Sequence, residues 1–221
     1  MRRALVIGAS GGIGSALAGA LERQGTEVTY LSRSGDGLDV TDEASVERVL
    51  KALEPPFRRI VVATGALAPA REAPEKRIAD VTPDGLRAVF DVNALGPMLV
   101  LKHAQRLLPT DAPSVFAALS ARVGSIGDNS IGGWHSYRAS KAALNQLLHG
   151  AAVELRRTHR QATVLLLHPG TVATPFTAAY AGRHRTVPPG EAAANLLSVI
   201  DRATPEMSGG FYDYAGDPIE W

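Results

Sequence analysis

Two side chains in Tyr137-Arg138-Ala139-Ser140-Lys141 are of the right type to move a proton. The tyrosine and the lysine stand four residues apart in a stretch with helical patterning, so they leave one helix face as neighbours. A phenol with a pKa near ~10 is a weak acid at neutral pH. A nearby ammonium stabilises the phenolate, lowers that pKa and makes the phenol a usable general acid or base. The same spacing also arises on ordinary solvated helices, so the pair acquires meaning only from what surrounds it. A second chemical feature lies near the start of the chain. In Gly8-Ala9-Ser10-Gly11-Gly12-Ile13-Gly14, glycines at G-x-x-x-G-x-G spacing follow an apolar run and open a helical pattern. Such a loop lets the backbone turn tightly and approach a pyrophosphate, which the helix N-terminus then stabilises.

Short apolar runs alternate with helical patterns along the whole chain. The runs are Ala4–Ile7, Glu27–Leu31, Ile60–Ala63, Ser114–Leu119, Ala162–Leu167 and Phe211–Tyr214. Several are apolar at every position, as strands covered on both faces should be. Helices are expected from Ile13 to Gly25, from Asp42 to Leu53, from Leu86 to Leu108, from Tyr137 to Thr158 and from Glu191 to Asp201. This alternation implies βαβ units and a doubly wound parallel sheet of about six to seven strands, with helices on both faces in a three-layer α/β sandwich. The 221 residues form one expected domain, 1–221. Arg71–Asp80 is charged and proline-interrupted and reads as a surface connection. Thr174–Gly190 lacks clean periodicity and is a candidate lid over a site.

Composition narrows the alternatives. Cysteine is absent and the net charge is +1, which excludes a disulfide framework and a global field for nucleic acid or acidic membranes. The apolar run after Met1-Arg2-Arg3 ends within four residues, at Gly8, too short for a secretory core, and no stretch is long enough to span a membrane. A cytoplasmic protein with no membrane partner is expected. The six histidines show no metal-ligand spacing, so no metal is expected. Arg156-Arg157-Thr158-His159-Arg160 falls at a helix C-terminus, where positive charge complements the dipole, and is not read as a nucleic-acid site.

The glycine loop, the Y-x-x-x-K helix and their order resemble the single-domain short-chain dehydrogenases/reductases, with the likeness covering essentially the whole chain. The short connection after the second strand and the long glycine-containing segment before Tyr137 look most like the C-factor-like members. The resemblance implies a Rossmann-type fold and a nicotinamide dinucleotide held by Gly8, Ser10, Gly11, Gly12, Ile13 and Gly14. In the family the end of the second strand selects the cofactor. Here Leu31 is followed by Ser32-Arg33-Ser34, and the permanently charged guanidinium fork of Arg33 suits a 2′-phosphate. NADP(H) is therefore expected, with NAD(H) the alternative if Asp36 reaches the ribose. Asp39-Val40-Thr41 matches a segment whose aspartate binds the adenine amino group, although Asp39 is also placed to cap a helix, with Thr41 and Asp42 as rivals. Ala63-Thr64-Gly65 falls beside the expected adenine. Pro169-Gly170-Thr171-Val172-Ala173-Thr174 matches the turn that orients the nicotinamide, with Pro169, Gly170, Val172 and Thr174 as contacts.

By the same resemblance, Tyr137 is the general acid and base, Lys141 lowers its pKa and binds the nicotinamide ribose, and Asn93 distorts its helix and holds a water in the proton relay. The fourth member is a departure. The family pattern S-S-x-x-G is here Ser120-Ala121-Arg122-Val123-Gly124, so the usual catalytic slot holds Ala121. Ser120, one residue early, is the expected donor to the substrate oxygen, with Ser125 as the rival. One residue reverses side-chain direction in an extended chain, and a bulge would restore it.

The implied activity is hydride transfer between NADP(H) and a small-molecule carbonyl or alcohol. A cofactor-sensing regulator without turnover is kept open by Ala121, and an epimerase or dehydratase of the extended relatives is disfavoured because those usually carry a further C-terminal substrate domain. Trp134, His135, Phe176, Tyr180, Arg183, His184 and Arg185 are expected at the pocket. The resemblance also implies a homodimer or homotetramer.

Overall fold

The computed structural model describes residues 3–70, 73–179 and 186–221. Six strands, β1 (Arg3–Ile7), β2 (Glu27–Leu31), β3 (Arg59–Val62), β4 (Ser114–Leu119), β5 (Ala162–His168) and β6 (Phe211–Asp213), form one sheet. Their order is β2-β1-β3-β4-β5-β6, and every neighbouring pair is parallel. All six expected runs are strands. The chain after β2 turns through Asp39–Thr41 without adding a strand.

Side-chain alternation splits the core into two layers. Leu5, Ile7, Ile60, Val62, Phe116, Ala118, Val164 and Leu166 face one side, where α3 (Glu43–Lys51), α5 (Gly96–Ala104) and α6 (His135–Leu155) cover them. Ala4, Val6, Val61, Ala117, Leu119, Leu165 and Leu167 face the other, under α1 (Gly12–Arg23) and α7 (Pro189–Asp201). β4 is buried at all six positions, which is why its sequence shows no polar alternation. Each fully buried large side chain here contributes roughly 1.5–3 kcal/mol relative to exposure. β1 sits between β2 and β3, so the chain leaves it in opposite directions and opens a crevice at the carboxyl ends of the strands, where ligands of such sheets bind.

The expected helix Leu86–Leu108 is four pieces. α4 (Pro83–Phe90) is capped by Thr82, whose hydroxyl accepts from the Gly85 N–H at 3.1 Å. A π-helical turn, Asp91–Leu95, follows, then α5, then a 3-10 turn, Gln105–Leu107. The sequence holds the reason. Pro97 has no N–H to give the Asn93 carbonyl four residues earlier, and the chain re-registers around the gap. α2 (Arg33–Asp36) is a further short helix immediately after β2.

Candidate active site

The glycine loop joins β1 to α1 at the crevice. Gly8 has φ +87°, and a Cβ there would lie 2.9 Å from the Ala63 carbonyl carbon. A Cβ on Gly14 would lie 2.2 Å from the Gly8 carbonyl oxygen, so no other residue fits. A Cβ on Gly12 would lie 2.7 Å from the Thr174 methyl, so the loop after β1 and the segment after β5 meet at this glycine. Ser10, Gly11 and Gly12 are exposed. α1 starts with no side-chain cap and no acidic residue in its first turn, leaving its first N–H groups free for an anion.

At the end of β2, the Ser32 hydroxyl caps α2 by accepting from Gly35 N–H at 3.0 Å. Asp36 folds back to accept from Ser32 N–H at 2.8 Å. Its carboxylate is thereby tied to the local turn. Arg33 is exposed and makes no ion pair among the described residues. Asp39 accepts from both the N–H and the hydroxyl of Thr41, at 2.9 and 2.7 Å, and these bonds hold its carboxyl below the usual carboxylate range. The rival cap prevails at α3: Asp42 accepts from Ala44 N–H at 3.1 Å. Val40 is buried and packs where a Cβ on Gly96 would be, 2.9 Å from its methyl.

Asn93, fully buried in the π turn, clamps the loop after β3. Its Oδ1 accepts from Ala66 N–H and its Nδ2 donates to Ala66 C=O, both at 2.8 Å. Nδ2 also donates to the Ser140 hydroxyl on α6 at 3.0 Å. A Cβ on Gly65 would lie 3.5 Å from Asn93 Oδ1 and 3.8 Å from Lys141 Nζ. Three of the expected positions, Gly65, Asn93 and Lys141, therefore converge.

Tyr137 and Lys141 lie one turn apart on α6 and both are buried. Lys141 Nζ sits 5.9 Å from the Tyr137 ring centroid and donates to the Leu119 carbonyl at 2.7 Å. Burial pushes the lysine down to about 7 and pushes the tyrosine up. Burial thus outweighs the lowering of Tyr137 expected from its neighbour. Trp134 and Phe176 wall the phenol, with ring centroids 6.0 and 6.4 Å from it. Trp134 has φ 51°, the one non-glycine residue with positive φ among those described. His135 is the first residue of α6. Tyr180, Arg183, His184 and Arg185 lie outside the described residues.

Both candidate serines are buried and hydrogen-bonded within the chain. Ser120 Oγ donates to Asn145 Oδ1 at 2.6 Å, so its proton is committed to α6 and the donation expected toward a substrate oxygen requires breaking that bond. The backbone at Ala121 is extended, with no bulge to reverse the direction of Ser120. Ser125 is buried and accepts from Asp128 N–H at 3.0 Å.

The turn after β5 places Gly170 at φ +76°, with a Cβ there 3.2 Å from the Tyr214 ring. Val172 forms a parallel bridge with Val187, flanked by bonds from Ala173 N–H to Val187 C=O and from Val187 N–H to Thr171 C=O. The candidate lid therefore has a stapled base, and its last two residues, Pro189 and Gly190, belong to α7. Sequence reasoning missed two site residues. Asn145 follows Lys141 by one turn and reads as a helix-surface amide. Glu75 sits in the segment expected to be a surface connection, yet it is 3% exposed. No local signal marks either, because their partners are 25 and 61 residues away.

A family model described as enoyl-(acyl carrier protein) reductase matches residues 8–203. The chain is also 33% identical, over 100% of both chains, to 1-hydroxy-2-glutathionyl-2-methyl-3-butene dehydrogenase of Rhodococcus sp. (strain AD45). The chain belongs to the short-chain dehydrogenase/reductase family. It is 35% identical to C-signal of Myxococcus xanthus over 65% of this chain and 83% of that protein. Its fold is similar to that of a short-chain dehydrogenase/reductase from Burkholderia multivorans solved with bound NADP, with a TM-score of 0.81 and 24% identity over 100% of this chain and 99% of that one. This family consists of oxidoreductases whose general reaction is hydride transfer.

Three features of this short-chain dehydrogenase/reductase chain fit a dinucleotide. The turn built on Gly8, Gly12 and Gly14 packs so closely on Ala63, Thr174 and its own backbone that a Cβ at any of the three would clash, which keeps it thin beside the N-terminus of α1. The N-terminus of α1 is uncapped by side chains. Thr64 Oγ1 and His168 Nδ1, at the carboxyl ends of β3 and β5, are buried without a hydrogen-bond partner among the described residues. Burial also pushes His168 down to about 4, with the Arg122 charge adding to the effect and Asp213 opposing it, so the ring is neutral at physiological pH.

Proposed function

We propose that this chain is an NADP(H)-dependent carbonyl reductase with Tyr137 as proton donor. The observation that carries the reading is the convergence of Tyr137, Lys141 and Asn93 beside Gly65, at the crevice opened by the glycine loop. When bound, the nicotinamide supplies the hydride. Gly8, Ser10, Gly11, Gly12, Ile13 and Gly14 would hold the pyrophosphate, Ser32 and Arg33 the 2′-phosphate, Asp39, Val40, Ala63, Thr64 and Gly65 the adenosine side, and Pro169, Gly170, Val172 and Thr174 the nicotinamide side. NADP(H) is favoured over NAD(H) because Arg33 makes no ion pair within salt-bridge distance among the described residues, while the Asp36 carboxylate accepts from Ser32 N–H.

Tyr137 gives its proton to the carbonyl oxygen as that oxygen gains negative charge. Burial keeps the phenol protonated, the form that reduction needs, whereas alcohol oxidation needs the phenolate. Lys141 holds its ammonium between the Leu119 carbonyl and the ribose side of the site. Asn93 fixes the loop after β3, and its carbonyl, denied a donor by Pro97 four residues on, is assigned here to hold a water of the proton relay. Ser120 supports α6 from beneath through Asn145. The Trp134 and Phe176 walls suit an apolar or aromatic carbonyl. The outer face of α6 exposes Leu147 and Val153, which supports self-association, testable by sizing with light scattering.

The test follows NADPH oxidation at 340 nm over a panel of aromatic and aliphatic ketones and aldehydes, with Tyr137→Phe as control. Turnover that Tyr137→Phe lowers by ~10²–10⁴ is expected. Tight NADPH binding without turnover of any carbonyl would favour the regulatory reading left open by Ala121.

A further inference from the structure

α6 carries the reacting pair, yet its N-terminus is not built from its own sequence. No acidic residue stands in its first turn, and its cap residue, Trp134, does not cap the helix with its side chain. The missing acceptor comes from 61 residues earlier. Glu75 accepts from the Ser136 hydroxyl through one carboxylate oxygen and from Ser136 N–H through the other, at 3.4 Å. Glu75 is 3% exposed and Ser136 1%. The backbone carbonyl of the same residue accepts from Trp134 N–H at 2.5 Å. Trp134 itself is held in the left-handed region at φ 51° and ψ 40°, a conformation that costs a bulky residue of order 1–3 kcal/mol unless its surroundings enforce it.

We propose that Glu75 is a positioning residue for the Tyr137 centre. One residue fixes two walls of the reacting space: its side chain locks the first turn of α6, and its carbonyl locks Trp134, whose ring packs edge-on against the phenol at 6.0 Å. Ser136 immediately precedes Tyr137, so rotation or slippage of that turn moves the phenol directly. A misplacement of about 1 Å at a reacting centre costs on the order of 10²-fold in rate. Arg138 adds a third tie at the same turn, its Nε donating to Gly133 C=O at 3.0 Å. A buried carboxylate at a helix N-terminus is also electrostatically favourable, which keeps Glu75 in place.

This inference rests on the reductase reading for its kinetic arm, so the test carries a second readout. Tryptophan occurs twice in the chain, and a Trp221→Phe background leaves Trp134 as the sole emitter. In that background Glu75→Ala, which keeps the backbone bond to Trp134 but frees the Ser136 turn that Trp134 opens, should lower kcat by about 10- to 100-fold, leave the NADPH dissociation constant within about threefold, and shift the Trp134 emission maximum and its acrylamide quenching. Glu75→Gln, whose amide can still accept from Ser136 N–H and pair with its hydroxyl, should recover both signals to within about threefold of the parent. Unchanged Trp134 emission in a folded Glu75→Ala protein would overturn the proposal, as would a loss of kcat matched by an equal loss of NADPH affinity. If no carbonyl is turned over by the parent, the reductase reading fails. The emission shift in Glu75→Ala, with its recovery in Glu75→Gln, would still establish the positioning role.

Discussion

The Ser120 hydroxyl donates to the Asn145 carboxamide oxygen at 2.6 Å, and both residues are buried. The one serine retained from the expected pair is thus a strut between β4 and α6. Ser120→Ala should therefore act on stability. It leaves the buried Asn145 carboxamide oxygen without this donor, and its Nδ2 already has no partner among the described residues, so a loss of about 1–3 kcal/mol is expected. Thermal melts should show it while kcat stays within about threefold. A fall in kcat of two orders of magnitude or more would return the oxygen-binding role to Ser120. The companion change, Ala121→Ser, should raise kcat by at least about tenfold, because it restores a donor of the kind whose removal usually costs ~10²–10³.

The glycine loop separates fold from binding. Gly14→Ala drives a methyl to within 2.2 Å of the Gly8 carbonyl oxygen, and backbone cannot step aside cheaply, so loss of soluble folded protein or a large drop in melting temperature is expected. Gly12→Ala meets only the Thr174 side chain, at 2.7 Å. It should weaken NADPH binding by at least about tenfold, measured by fluorescence titration, with a smaller change in melting temperature.

Arg33 should matter to one cofactor and not the other. A charge-assisted bond is worth about 1.5–3 kcal/mol, so Arg33→Ala should weaken NADPH by roughly 10- to 100-fold and leave NADH within about threefold. Equal weakening of both would remove Arg33 from cofactor selection.

Lys141 makes stability depend on pH. Its pKa is about 7 in the fold against 10.5 ordinarily, so between these values the unfolded chain binds more protons than the folded one. Stability from this group therefore rises with pH from about 7 toward 10, by at most about 1.4 kcal/mol per pH unit. Tyr137 has the opposite sign above pH 10, because its pKa is raised on folding, so the clean window is pH 7–9. Denaturant melts across that window should show the rise in the parent and its loss in Lys141→Met.

The sheet was legible because its strands are covered on both faces. β4 and β5 are near-continuous apolar runs, and such runs carry their own boundaries. The π turn at Asn93 was half legible: Pro97 announces a break in the helical ladder, but not that the helix would resume on the same line. α2 was missed because four residues show no periodicity, although Ser32 is recognisable as its N-cap and Gly37 as its C-cap. Glu75 was misread for a more general reason. A glutamate between prolines, lysine and arginine looks solvated, and only tertiary folding brings Ser136 to it. The same holds for Ser120, whose partner is decided by the phase of α6 against β4.

The Val172–Val187 bridge gives the chain between those residues two fixed ends. A loop closed in this way can change in length or composition without disturbing the sheet beneath it, because closure entropy grows only slowly with length. Residues 172–177 are part of the site itself, since Thr174 meets Gly12 and Phe176 walls the phenol. An engineer grafting relatives' segments into this connection should therefore keep 172–177 and Val187 and exchange only what lies between them.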